Sequence, residues 1–191
     1  MSSTSTPPTR VGIVGYGALG QYLTQFILSP EGQAANLELA FVWNRTPEKV
    51  ANDPDLRVQQ ALLTNLPDFA TKNPSMIVEV AHPSITVDYG TNFLTSGADY
   101  FCGSPTVFAN LSIEQAMRET ATSNKDGRSL YLPAGALWGS NDIQKMAARK
   151  TLTGENTTLV PQRHTNKMLH FFVLSFLVPS SHTPLSFVSV H

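Results

Sequence analysis

Apolar and polar positions along the chain follow two alternating periods. Val11-Gly12-Ile13-Val14 is a short β-rich run, and it gives way to Leu19, Tyr22, Leu23, Phe26 and Ile27, which recur at helical spacing. This predicts a first strand over Val11–Val14 and a first helix over about Ala18–Leu28. Ser29-Pro30-Glu31-Gly32 breaks the pattern as a loop. Leu37–Trp43 is a nearly continuous apolar run, as expected for a parallel strand covered on both faces. The next stretch is less regular, with a short helix starting at Pro47-Glu48-Lys49-Val50, a short edge strand at Arg57–Gln59 and a helical turn at Leu66-Pro67-Asp68-Phe69. Alternation then resumes with a strand over Met76–Ala81 and a helix from Ser84 to about Ser96, closed by Gly97. A strand over Ala98–Cys102, a helix over about Leu111–Thr122, a strand over Ser129–Leu132 and a helix over Asn141–Arg149 follow. Strands alternating with helices predict an α/β fold, a doubly wound parallel sheet.

The first strand meets the first helix in Gly15-Tyr16-Gly17-Ala18-Leu19-Gly20, a G-x-G-x-x-G pattern in the strand–turn–helix context that dinucleotide binding requires. Each glycine has a physical task there. Gly15 permits the tight turn, Gly17 lets the backbone approach a pyrophosphate, and Gly20 lets the helix pack closely on the strand. The start of the helix, at Ala18 and Leu19, offers unpaired N–H groups and a positive dipole end to the phosphates. The reading is therefore a Rossmann NAD(P)-binding domain of six parallel strands in the order 3-2-1-4-5-6. Its ligand-binding rim lies beyond the carboxyl ends of the strands, at Gly15–Gly20, Asn44–Arg45, Ala81–Ser84, Gly103–Pro105 and Gly135–Ala136.

The end of the second strand bears on which dinucleotide. An acid that bonds the ribose 2′-hydroxyl usually stands about 20 residues beyond the glycines. Asn44 occupies that place and Arg45 follows it. Without a carboxylate a 2′-phosphate is not repelled, and Arg45 offers it a charge-assisted partner. This leans towards NADP, with NAD kept open; an ordinary surface arginine is the bland alternative.

Composition adds exclusions. The formal net charge of −1 gives no reason to expect nucleic acid or an anionic membrane as a partner. One cysteine, Cys102, leaves no intrachain disulfide and fits a reducing compartment, the cytoplasm. Residues 1–10, rich in Ser, Thr and Pro, read as a disordered lead-in without a signal-peptide core. No histidine pair has metal-ligand spacing, so no metal is expected.

The stretches VGIVGYGALG, FVWNR, IVEVAHPSI, YFCGSPTVFAN and LPAGALWGSNDI together resemble the L-aspartate dehydrogenase family. The resemblance covers about Arg10–Thr153 and is most specific at P-A-G-A-L-W-G. It implies oxidation of L-aspartate to iminoaspartate with NAD or NADP, the product hydrolysing to oxaloacetate and ammonia or serving NAD biosynthesis. One departure is that Thr106-Val107 replaces a Gly-Ala pair of the family, bringing bulk near the nicotinamide. Motif, rim and resemblance together give Gly15, Gly17, Ala18, Leu19, Gly20, Asn44, Arg45, Ala81, His82, Ser104, Val107 and Ala136 as candidate cofactor-binding residues. No catalytic residue is assigned. His82 reads as a loop histidine shaping the pocket ahead of a proton acceptor. Glu79 reads as a structural hydrogen-bond partner, and Cys102 as a small buried hydrophobe.

The division expected is 1–10 lead-in, 11–153 dinucleotide-binding domain and 154–191 atypical tail. The resemblance implies a further domain carrying the substrate clamp and a catalytic histidine, and residues 154–191 are too few for it. The expectation is a truncated isoform, or a reading frame run into non-coding sequence. The apolar burst Leu169–Val178 is shorter than the roughly 20 residues that span a bilayer. Three functions stay open: an L-aspartate dehydrogenase whose small-molecule substrate needs a second domain, a non-catalytic NAD(P)-binding module, and another Rossmann oxidoreductase. A homo-oligomer stays open as the assembly.

Overall fold

β1 (Thr9–Val14) is flanked on both sides by parallel partners, β2 (Leu37–Trp43) and β3 (Met76–Glu79). The structure, a computed structural model, describes residues 6–123 and 128–133. Beyond β3 the sheet continues through β4 (Asp99–Cys102) to β5 (Leu130–Tyr131), all parallel, in the order β2-β1-β3-β4-β5. Parallel neighbours need crossovers, and helices supply them. α1 (Ala18–Leu28) and α2 (Pro30–Ala34) link β1 to β2. α3 (Glu48–Ala51), α4 (Leu56–Gln60) and a 3₁₀ segment, Leu66–Lys72, link β2 to β3. α5 (Pro83–Thr95) links β3 to β4, and a 3₁₀ segment, Pro105–Ala109, with α6 (Leu111–Ser123) links β4 to β5.

This is the doubly wound parallel sheet, with two local corrections. Arg57–Gln59 is helical, not an edge strand, because the Asp55 side chain accepts the Arg57 N–H and caps α4. What remains of a strand beside β2 is one parallel bridge, Val42 with Leu62, at the edge where the third strand of the expected order would stand. Ser29–Gly32 is not a loop either. Ser29 accepts the Gly32 N–H and Pro30 occupies the first turn, so the two residues that break α1 start α2. The expected helix over Asn141–Arg149 lies outside the described residues.

Strand alternation divides the core. Val14, Ile77, Tyr100 and Cys102 gather with Phe69, Phe93, Leu94 and Met117 from the crossovers. Phe93 stands edge-on to Phe69 at a centroid separation of 4.8 Å and lies 5.3 Å from Tyr100. Each such ring, taken out of water, contributes about 1.5–3 kcal/mol. Leu23, Phe26 and Ile27, on one stripe of α1, are also buried. The two sets of apolar contacts fix the strand ends, and with them the rim. No helix among the described residues is long and apolar enough to cross a membrane.

Candidate functional site

The carboxyl ends of β1, β2 and β3 meet at a cleft of about 290 Å³, lined among others by Gly15, Gly17, Asn44, Arg45, Lys49, Ala81 and His82. Its floor is the turn between β1 and α1. Gly15 has φ +111°, a left-handed conformation, and a methyl group there would lie 2.9 Å from the Ala81 backbone nitrogen. At Gly20 a methyl would sit 1.9 Å from the Gly15 carbonyl oxygen, so helix and turn touch with no space between them. Gly17 differs from both. A methyl there would meet nothing among the described residues within 4 Å, and the backbone, φ −83° and ψ −168°, suits any residue. Nothing among the described residues requires glycine at 17; the open space is where a ligand would approach.

α1 begins at this turn with no side-chain cap and no acid in its first turn. Its leading N–H groups, from Ala18 and Leu19 onward, and the positive end of its dipole are thus left for an anion. These features fit a pyrophosphate.

Two bonds brace the turn. The Asn44 Oδ1 accepts the Tyr16 N–H at 3.0 Å, while its Nδ2 donates to the Thr46 carbonyl at 2.9 Å. The Tyr16 hydroxyl, on a fully buried ring, donates to Asp53 Oδ2 at 2.6 Å. Burial and the neighbouring Asp53 carboxylate push the Tyr16 phenol well above its ordinary range. Asn44 therefore lines the cleft and also spends its side chain on the glycine turn. That role joins residues 28 apart and has no local signal in the sequence. Arg45 is exposed on the cleft, and Lys49, which the sequence reading did not single out, stands beside it. Neither side chain has an ion-pair partner among the described residues. Two uncommitted cations at the end of β2 suit an additional phosphate.

On the other side of β1, Ala81 and His82 form the wall. The His82 Nδ1 accepts the Ser84 N–H at 3.2 Å, so the imidazole caps α5. That bond orients the ring as a pocket-shaping group. Behind the wall Glu79 is fully buried. Burial raises its carboxyl above the usual range, against the opposing pull of hydrogen bonds from the Ala81, Ser104 and His82 donors. Ser104 thus turns its hydroxyl to Glu79, 3.1 Å away. Cys102 is buried and its thiol is pushed up to about 11, chiefly by burial. Val107, expected at the nicotinamide, is instead 7 % exposed within the core cluster and does not line the cleft. The physical reason is the 3₁₀ segment Pro105–Ala109, which turns that side chain inward. Ala136 lies outside the described residues. No group of three or more His, Cys, Asp or Glu among the described residues is placed to hold a metal ion.

Fold and site define a nicotinamide-dinucleotide-binding domain, and residues 15–133 match the family model for the homoserine dehydrogenase NAD-binding domain. An aspartate dehydrogenase domain-containing protein of Xenopus tropicalis is 45% identical over 159 residues, 83% of this chain and 54% of that protein. An L-aspartate dehydrogenase of Methanocaldococcus jannaschii is 26% identical over 137 residues, 72% of this chain and 49% of that protein. The crystal structure of aspartate dehydrogenase from Thermotoga maritima superposes with a TM-score of 0.50 at 19% identity, over 73% of this chain and 52% of that one, and supports the fold. The chain belongs to the family of the homoserine dehydrogenase NAD-binding domain, and the curated relatives it resembles are named for aspartate dehydrogenase. It spans about half the length of the curated relatives it matches.

Proposed function

We propose that the domain holds NAD(P) for the oxidation of L-aspartate to iminoaspartate, the activity for which its relatives are named, and that it prefers NADP. The observation that carries the cofactor reading is Gly17. It is a glycine that the described residues do not need, facing space they leave open at an uncapped helix start. The pyrophosphate would lie there, with Gly15 and Gly20 keeping turn and helix in contact beneath it. Arg45 and Lys49 would take the 2′-phosphate. Because the adenosine lies at the β2 end and the pyrophosphate at β1, the nicotinamide falls over the ends of β3 and β4, beside Ala81 and His82. When bound, the cofactor supplies a hydride acceptor.

The chain's own residues do the rest of the binding work: the first turn of α1 orients the phosphates and the Ala81–His82 wall lies against one face of the ring. Hydride transfer also requires the substrate Cα–H to be aimed at that face. Such positioning accounts for about 7–11 kcal/mol of barrier reduction, and a general base for about 10²–10⁴-fold more. Arg45 and Lys49 stand on the adenosine side and His82 is engaged as a helix cap, so none of them is free to clamp the amino acid. In this reading the chain alone binds the cofactor and does not turn over L-aspartate. The test is aspartate-dependent NADPH formation by the purified chain, with Gly17→Trp blocking the cofactor site as control. Cofactor binding without turnover is expected; robust turnover abolished by the control overturns it.

A further inference from the structure

We propose that Glu79 is a positioning residue for the nicotinamide half of the dinucleotide. The proposal rests on the cofactor reading above and assigns a role to a side chain buried behind the cleft lining. Glu79 ends β3, fully buried. Its Oε1 accepts the Ala81 N–H at 2.6 Å, the His82 N–H at 2.8 Å and the Ser104 hydroxyl at 3.1 Å. Its Oε2 accepts the Ser104 N–H at 3.2 Å and faces the Cys102 thiol at 3.8 Å. No cation pairs with it among the described residues. A buried carboxylate is costly unless donors surround it, and these donors come from the two loops following β3 and β4. One carboxylate therefore sets both loops at once.

The first loop is a wall of the cleft. Ala81 packs so closely on the glycine turn that a Gly15 methyl would lie 2.9 Å from its Cβ. Moving Ala81 and His82 therefore moves the surface over which the nicotinamide would lie, while the β2 end, with Arg45 and Lys49, is held separately by Asn44. Behind Glu79 the Cys102 thiol meets the Thr86 hydroxyl at 3.2 Å, and that hydroxyl meets the Tyr100 phenol at 2.8 Å. Tyr100 donating to Thr86, Thr86 to Cys102 and Cys102 to Glu79 gives every proton one acceptor. The chain ends on the carboxylate and ties its position to α5 and β4. An apolar side chain at 79 would leave three backbone N–H groups without their acceptor.

Glu79→Gln tests this, because its amide must turn an NH2 towards donors on one side or the other. Wild type and variant are titrated with NADPH and with adenosine 2′,5′-bisphosphate, which has the adenosine end and no nicotinamide; NADH and ADP form a parallel pair. The expected result is NADPH weakened at least about tenfold, the loss of one charge-assisted hydrogen bond, with the bisphosphate within about twofold. A loss of NADPH no larger than that of the bisphosphate, including no loss of either, overturns the assignment. General loosening of the fold would move both ligands together. Ser104→Ala keeps the carboxylate and removes one donor; it serves where Glu79→Gln does not fold, with the same split expected at about threefold. Its absence in that variant overturns the assignment as well. A wild-type chain that binds neither NADPH nor NADH overturns the cofactor reading itself, and the role of Glu79 with it.

Discussion

Gly17→Ala separates a glycine kept for a ligand from one kept for the fold. The added methyl meets no atom of the described residues within 4 Å, and φ −83° with ψ −168° is open to alanine. Restricting the unfolded chain stabilises by about 0.4–1 kcal/mol, whereas alanine is a poorer N-cap than glycine by a similar amount. The two nearly cancel, so Tm should stay within about 2 °C of wild type. Binding should not survive so well. The methyl would stand between a pyrophosphate and the first-turn N–H groups of α1, and one lost hydrogen bond to a charged group costs about 1.5–3 kcal/mol. That is about 10- to 150-fold in Kd for either cofactor. Calorimetric titration with NADPH and NADH, beside thermal melts, reads both quantities. Gly20→Ala is the contrast: its methyl would lie 1.9 Å from the Gly15 carbonyl oxygen, so about 1–3 kcal/mol of stability should go together with binding. Full binding by Gly17→Ala, or a binding loss matched by a stability loss, would refute the reasoning.

Arg45→Ala should weaken NADPH by about 1.5–3 kcal/mol and leave NADH nearly unchanged, with Lys49→Ala acting the same way; equal losses for both cofactors in a binding titration would show that neither side chain reads the 2′-phosphate. Tyr16→Phe removes the donor to Asp53 and should lower stability by about 1.5–3 kcal/mol in a urea melt; an unchanged midpoint would mean the bond does not brace the turn. Cys102 carries a pH effect. Burial raises its thiol from 9.0 to about 11, so the folded state holds the proton longer than the unfolded one. Its contribution is complete below pH 9 and is lost as pH rises through about 11, about 2–3 kcal/mol in all. Urea melts across that range should show a shallower alkaline decline for Cys102→Ala than for wild type, and parallel declines would contradict this.

The elements most legible in the sequence were those whose own residues decide them. α1 occupies Ala18–Leu28 and β2 occupies Leu37–Trp43, as the apolar stripe and the apolar run imply. The glycine turn was legible because only glycine meets the left-handed φ at 15 and the contact at 20. Short polar segments were not. Ser29-Pro30 reads equally as the break of one helix or the cap and first turn of the next, and in the structure it is both. Arg57–Gln59 gained a helix from one Asp55 hydrogen bond. The site was legible at its rim and hidden beneath it. Asn44 could be located at the end of β2, but its bond to Tyr16 could not. Glu79 was recognisable as a hydrogen-bond partner, but its bond to Ser104, 25 residues away in sequence, was not. The core position of Val107 was not legible, because the inward turn of a short 3₁₀ segment has no periodicity to read.

In this account the rim over β1 holds a nicotinamide dinucleotide. Titration of the purified wild-type chain with NADPH and NADH, followed by calorimetry, tests it most directly. The expected result is one site per chain, tighter for NADPH than for NADH and lost in Gly17→Trp. Failure of a folded chain to bind either dinucleotide, or binding that Gly17→Trp leaves intact, would contradict it.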